Sequence, residues 1–206
     1  MCRYLIVYST QEGQTAKIVR FISNELQMYA DTSVDVYSET EVPIDLDLSR
    51  YDGVMIGASV HLGQFPKELV QWVKANSEIL SMSENGFFSV CLGILEAQNK
   101  KTQDAERKIV FDFFRETGWH PRHWRIFAGA LRYTKYGPFK KLLMKILAGR
   151  AGGDVDTSRD YEYTDWTAVR RFTSEFRAAT ELRDLKLKTR LTSVPDETKY
   201  YRSHSI

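Results

Sequence analysis

Seven consecutive residues near the start of the chain have the types and spacing to do chemistry: Ser9, Thr10, Gln11, Glu12, Gly13, Gln14 and Thr15. Three hydroxyls and one glycine lie between an apolar run, Tyr4–Tyr8, and the start of a helical pattern at Thr15. Such a turn is built to hold an anion. Free backbone N–H groups converge at a helix N-terminus, the helix dipole adds partial positive charge, and Ser9, Thr10 and Thr15 can donate O–H bonds. The lysine of a G-x-x-x-x-G-K-[ST] loop is missing, so the pattern suits a ligand that is gripped and kept rather than hydrolysed.

The elements that must position this turn follow from periodicity. Tyr4–Tyr8 reads as a buried strand and the segment from Thr15 to about Met28 as a helix. Further strands are expected at Ser33–Ser38, Tyr51–Gly57, Gly86–Cys91 and Arg125–Leu131, with helices at Lys67–Leu80, Thr102–Thr117 and Trp166 to about Leu182. Asp165 is the expected N-cap of the last helix. Strands alternating with helices argue for an α/β fold with a doubly wound parallel sheet. The loops after the third strand, Ala58–Pro66, and after the fourth, Leu92–Lys101, then emerge at the same end as the hydroxyl-rich turn.

The ten residues Ile6 to Thr15 resemble the flavodoxin phosphate loop at every position: aliphatic, aliphatic, aromatic, any, Ser/Thr, any two, Gly, any, Thr. An ordinary βα turn with a Thr N-cap is the competing reading. The resemblance implies a flavodoxin-like five-stranded sheet of order 2-1-3-4-5 and FMN as cofactor. It also implies cofactor contacts from Ser9–Thr15, from Ala58, Ser59, Val60, His61, Leu62 and Gly63, and from Cys91, Leu92, Gly93 and Ile94. His61 and Phe65 are the aromatic candidates to stack on the flavin, and Lys100 and Lys101 the nearest cations of the third loop. For His61 a role that only lines its loop is favoured over proton relay, and for Cys91, at a strand end, packing is favoured over approach to the flavin.

Composition narrows the class. With 206 residues, 43% hydrophobic, one α/β domain over residues 1–182 is expected, followed by an extension, 183–206, read as surface or mobile. A net charge of +2 gives no global field toward nucleic acid, and no nucleic-acid module is present. Two cysteines give no disulfide framework. No signal peptide, no uncharged run of membrane-spanning length and no metal site are read from the sequence.

The distribution of charge is uneven. From Arg122 to Arg150 there are eight Lys or Arg and no acid. The segment between the fifth strand and the last helix, about 132–160, is far longer than an ordinary connection. Within it Phe139, Leu142, Leu143, Ile146 and Leu147 can share one helical face, with Lys140, Lys141 and Lys145 on the flanks. A basic amphipathic helix over about 136–149 suits an anionic membrane surface; a helix packed on its own domain with a solvated lysine face is the alternative. Arg132 and Lys135 are open to two uses, pairing with substrate carboxylates or with lipid phosphate.

With Ala128-Gly-Ala-Leu-Arg-Tyr133, Gly152-Gly153-Asp-x-Asp-Thr157, Tyr163-Thr-Asp-Trp166 and Ile56-Gly-Ala-Ser59 added to the phosphate loop, the chain is similar to the quinone-dependent protoporphyrinogen oxidases of haem synthesis, the HemG family. That resemblance extends from Met1 to about Leu182. It implies oxidation of protoporphyrinogen IX on FMN, a membrane quinone as acceptor, and a peripheral position on a bacterial inner membrane or an organellar one. A flavodoxin-type electron carrier and an NAD(P)H:quinone reductase are the alternative functions. Against the first stands the basic insertion, and against the second the lack of a G-x-G-x-x-G fingerprint.

Overall fold

Apolar residues at adjacent positions of the central strands divide between two cores. In β1 (Cys2–Ser9), Leu5 and Val7 enter one buried cluster while Tyr4 and Ile6 enter the other. In β3 (Gly53–Ser59), Val54 and Ile56 oppose Met55, and in β4 (Glu84–Cys91), Phe87 opposes Phe88 and Val90. A sheet apolar on both faces needs helices on both faces. The computed structural model supplies them, describing residues 1–92, 100–132 and 156–192.

The sheet is parallel throughout, in the order β2-β1-β3-β4-β5, with β2 at Thr32–Ser38 and β5 at His123–Ala128. One face carries α1 (Gln14–Gln27) and α5 (Trp166–Thr192), through Ile18, Val19, Ile22 and Leu26 against Val169, Phe172 and Phe176. The other carries α2 (Lys67–Ala75), α3 (Ser77–Met82) and α4 (Lys100–Thr117), packed around Phe87. Phe87 touches the rings of Phe65, Phe113, Phe114 and Trp119. At Gly57 the opposite face closes so tightly that a Cβ would lie 2.2 Å from Cζ of Phe88.

Three expectations are corrected. The helix expected over Lys67–Leu80 is two helices, broken where Asn76 turns its side-chain amide onto the Trp72 carbonyl at 2.8 Å. The strand expected over Arg125–Leu131 stops at Ala128. After Gly129, a second short ribbon forms instead, with β6 (Ala130–Leu131) antiparallel to β7 (Tyr161–Glu162). The last helix runs to Thr192 rather than ending near Leu182, so residues 183–192 of the extension expected to be surface or mobile are helical. Their helix-forming Leu, Lys and Arg and the Lys188–Asp184 pair support those extra turns. Residues 193–206 lie outside the described part.

Candidate functional site

The strand ends are in register. Ser9 lies opposite Ala58, Ser59 opposite Val90, and Cys91 opposite Ala128. With parallel strands about 4.8 Å apart, the three loops expected to form a site leave the sheet side by side. The Val60 N–H continues the ladder by donating to the Val90 carbonyl at 2.9 Å.

The first loop turns on Gly13, whose φ of 88° is open to glycine at little cost. The Thr10 hydroxyl oxygen accepts the Gly13 N–H at 3.0 Å, closing the turn. Helix α1 then starts with no side-chain cap, so its leading N–H groups keep their need for an acceptor. Thr15 is fully buried in the first turn, and its Oγ1 has no hydrogen-bond partner among the described residues. Leaving a buried hydroxyl unpaired costs about 1–3 kcal/mol. A phosphate at the helix terminus would accept from the Thr15 hydroxyl and from the uncapped N–H groups together. The phosphate end of FMN therefore fits the donor set. Ser9 is different: its hydroxyl donates to the Glu39 carboxylate at 2.6 Å, which takes up the proton expected for the anion. Gln11 is exposed at the crest and Glu12 half-buried.

The second loop is a tight turn. His61 and Gln64 exchange both backbone bonds, at 2.8 and 3.0 Å, around Leu62 at φ 49° and Gly63 at φ 77°. Two successive left-handed residues make a type I′ turn, here with a leucine, 88% exposed, where glycine or asparagine is usual. His61 is exposed beside it. Phe65 is turned into the core against Phe87 and Phe113 and cannot also cover a flavin, which removes it as a stacking candidate. Ala58 is buried, and the Ser59 hydroxyl is buried without a partner among the described residues.

At the third loop, Cys91 is buried at the end of β4 and its thiol hydrogen-bonds the Glu106 carboxyl of α4. Burial pushes the Glu106 carboxyl above its ordinary 4.5, the Cys91 bond pulling the other way. Leu92 packs with Leu131, Tyr161 and Tyr163. Gly93 and Ile94 lie outside the described residues. Lys100 and Lys101 are exposed at the start of α4.

The two ends of the long insertion are fastened to this site. At its entry, Arg132 Nη2 donates to the Gln14 side-chain carbonyl at 3.1 Å, with Asp160 3.8 Å from its Nη1. The other end of the Gln14 amide donates to Thr164 Oγ1 at 2.9 Å, and Thr164 in turn donates to the Ala128 carbonyl at 2.7 Å. This chain of donors fixes which way the amide points. At the exit, Glu162 meets Lys17 Nζ at 2.5 Å and Trp166 Nε1 at 2.9 Å. Burial works against the Glu162 charge, but these bonds outweigh it and hold the carboxyl below its usual value. Lys135, Lys140, Lys141 and Lys145, and the helix expected over 136–149, lie outside the described residues. Sequence reading missed Glu39, Lys17, Glu162 and Glu106. Thr164 stood in a quoted motif, but its hydrogen bonds run to residues distant in the chain.

A family model described as a flavodoxin domain matches residues 5–158. The protoporphyrinogen IX dehydrogenase (quinone) of Leishmania major is 34% identical over 176 residues, covering 84% of this chain and 74% of that protein. The protein of the same name from Escherichia coli strain K12 is 30% identical over 185 residues, covering 88% of this chain and 98% of that one. In fold alone, the rubredoxin oxygen:oxidoreductase of Desulfovibrio gigas superposes on 90% of this chain and 37% of its own, with a TM-score of 0.50 and 10% identity.

Proposed function

Because this chain belongs to the flavodoxin domain family and, within it, to the family of the protoporphyrinogen IX dehydrogenases (quinone), we propose that it oxidises protoporphyrinogen IX to protoporphyrin IX with FMN and hands the electrons to a membrane quinone. The observation that carries this reading is the 30% identity kept along 98% of the Escherichia coli protein, which leaves no domain of that enzyme without a counterpart.

When bound, FMN supplies the two-electron redox chemistry, so the six electrons of the porphyrinogen require three turnovers per porphyrin. The chain's own residues hold and orient. Thr15 and the uncapped turn of α1 take the phosphate, while Thr10 and Gly13 fix the loop's shape. The His61–Gln64 turn and Leu92, at the ends of neighbouring strands, would flank the ring system. With Phe65 committed to the core, the second loop offers His61 as its aromatic group.

The acceptor side rests on the insertion. The basic stretch from Arg122 to Arg150, which holds no acid, supports contact with an anionic membrane, where the quinone is dissolved. Among the described residues no helix is long and apolar enough to cross a membrane, so the proposed contact is with the surface. Anaerobic mixing of the FMN-loaded protein with protoporphyrinogen tests the oxidase. Loss of oxidised-flavin absorbance and a rise in porphyrin fluorescence are expected, continuing past one flavin equivalent when quinone is added. If neither signal appears, the assignment fails. Removing residues 136–149 is expected to release the protein from anionic vesicles with FMN retained; unchanged sedimentation with vesicles refutes the membrane role.

A further inference from the structure

The phosphate loop has no cation of its own, and its surroundings are acidic. Glu12 lies in the loop, Glu39 receives the Ser9 hydroxyl, and Glu162 is paired with Lys17. An FMN phosphate brings between one and two further negative charges at neutral pH. Arg132 is a second described cation bonded to this unit. It reaches Gln14, the first residue of α1, directly, with Asp160 at the edge of ion-pair range. Gln14 is 4% exposed and is locked from its other side by Thr164, so the guanidinium is held against the helix start by a fixed partner. The uncapped N-terminus and the unpartnered, fully buried Thr15 hydroxyl place the anion at that same turn.

We propose that Arg132 serves the phosphate end of the cofactor: through Gln14 it positions the first turn of α1, and it supplies the positive charge that the loop lacks. Charge of this kind acts on the phosphate and hardly on the neutral ring and ribityl chain. Arg132 thus acts as a positioning and specificity residue for FMN over riboflavin, rather than as a contact to substrate carboxylates or lipid. The inference rests on FMN being the cofactor.

The test is to measure dissociation constants of FMN and of riboflavin for the full-length chain and its variants, by flavin fluorescence, at low and at physiological ionic strength. Arg132→Gln is expected to weaken FMN about tenfold or more while leaving riboflavin unchanged, and to flatten the salt dependence of FMN binding. Arg132→Lys is expected to keep most of the preference for FMN. Equal weakening of both flavins, no change in either, or Arg132→Lys behaving as Arg132→Gln would overturn the proposal. Should Arg132→Gln fail to fold, Gln14→Leu frees the guanidinium from α1 without altering charge. Its FMN-to-riboflavin preference is expected to fall, and an unchanged preference overturns the proposal. Failure of the unaltered chain to take FMN would be a different result, sinking the cofactor reading and this inference with it.

Discussion

Replacing Thr15 by valine should make the empty protein more stable and the loaded protein worse at its task. The side chain is fully buried and its hydroxyl has no partner among the described residues. An unpaired buried hydroxyl costs about 1–3 kcal/mol, and valine keeps the branched shape while removing the polar atom. The cofactor-free variant is therefore expected to gain about 1–2 kcal/mol. For a chain of this size that is a rise in Tm of about 2–4 °C per kcal/mol. FMN loses a hydrogen bond to a charged acceptor, worth about 1.5–3 kcal/mol, or roughly tenfold to a hundredfold in Kd. At an FMN concentration of a hundred times the original Kd, ligand-induced stabilisation should fall from about 2.7 to about 1.4 kcal/mol or less. Thermal melts with and without FMN, joined to a fluorescence titration, read both effects. A cofactor-free Thr15→Val that melts below the parent would mean that the hydroxyl has a partner. An unchanged Kd would mean that it never meets the phosphate. Either result breaks the argument.

Other perturbations test the frame around the site. Gly57→Ala puts a methyl 2.2 Å from the Phe88 ring, which has no room to retreat in a closed core, so a loss of about 1–3 kcal/mol is expected in chemical denaturation. Leu62, exposed yet left-handed, should respond to backbone preference alone: Leu62→Asn stabilises and Leu62→Val destabilises, each by about 0.5–1 kcal/mol in the same assay. Glu106 has its carboxyl raised by burial, so the folded state favours the protonated form. Its contribution is fully present below the ordinary value of 4.5 and is lost as pH rises through the folded value. Glu106→Gln should accordingly be more stable than the parent near neutral pH, with the gain shrinking in acid. Denaturation midpoints across pH measure it, and a gain that grew on acidification would contradict the sign.

What was legible in the sequence had local causes. The three central strands announced themselves because both faces are buried, leaving near-continuous apolar runs. The turn at Gly13 was legible because its hydroxyls, glycine and helix start stand within ten residues. What was hidden depends on partners distant in sequence. Ala130 and Leu131 continue the apolar run of β5 and read as its end, yet they pair with Glu162 and Tyr161. Glu39 sat in a polar link, and only the β1–β2 register, Tyr8 against Ser38, brings it to the Ser9 hydroxyl. Phe65 read as a stacking ring because loop aromatics can serve ligands, but the apolar cluster around Phe87 claimed it. Arg132 looked like part of a basic, membrane-seeking stretch. Its bond to Gln14 joins residues 118 apart, which no periodicity encodes.

The β6–β7 ribbon carries a consequence for how this chain can vary. By pairing Ala130 with Glu162 and Leu131 with Tyr161, it pins both ends of the intervening segment next to each other. The conformational cost of bringing those ends together is then met at the ribbon and is not charged to the sheet. Beyond that clamp, doubling the number of residues in a connection adds only about 0.6 kcal/mol of closure entropy. Relatives of this chain can therefore lengthen, shorten or rewrite that segment while the flavin-holding framework stays unaltered.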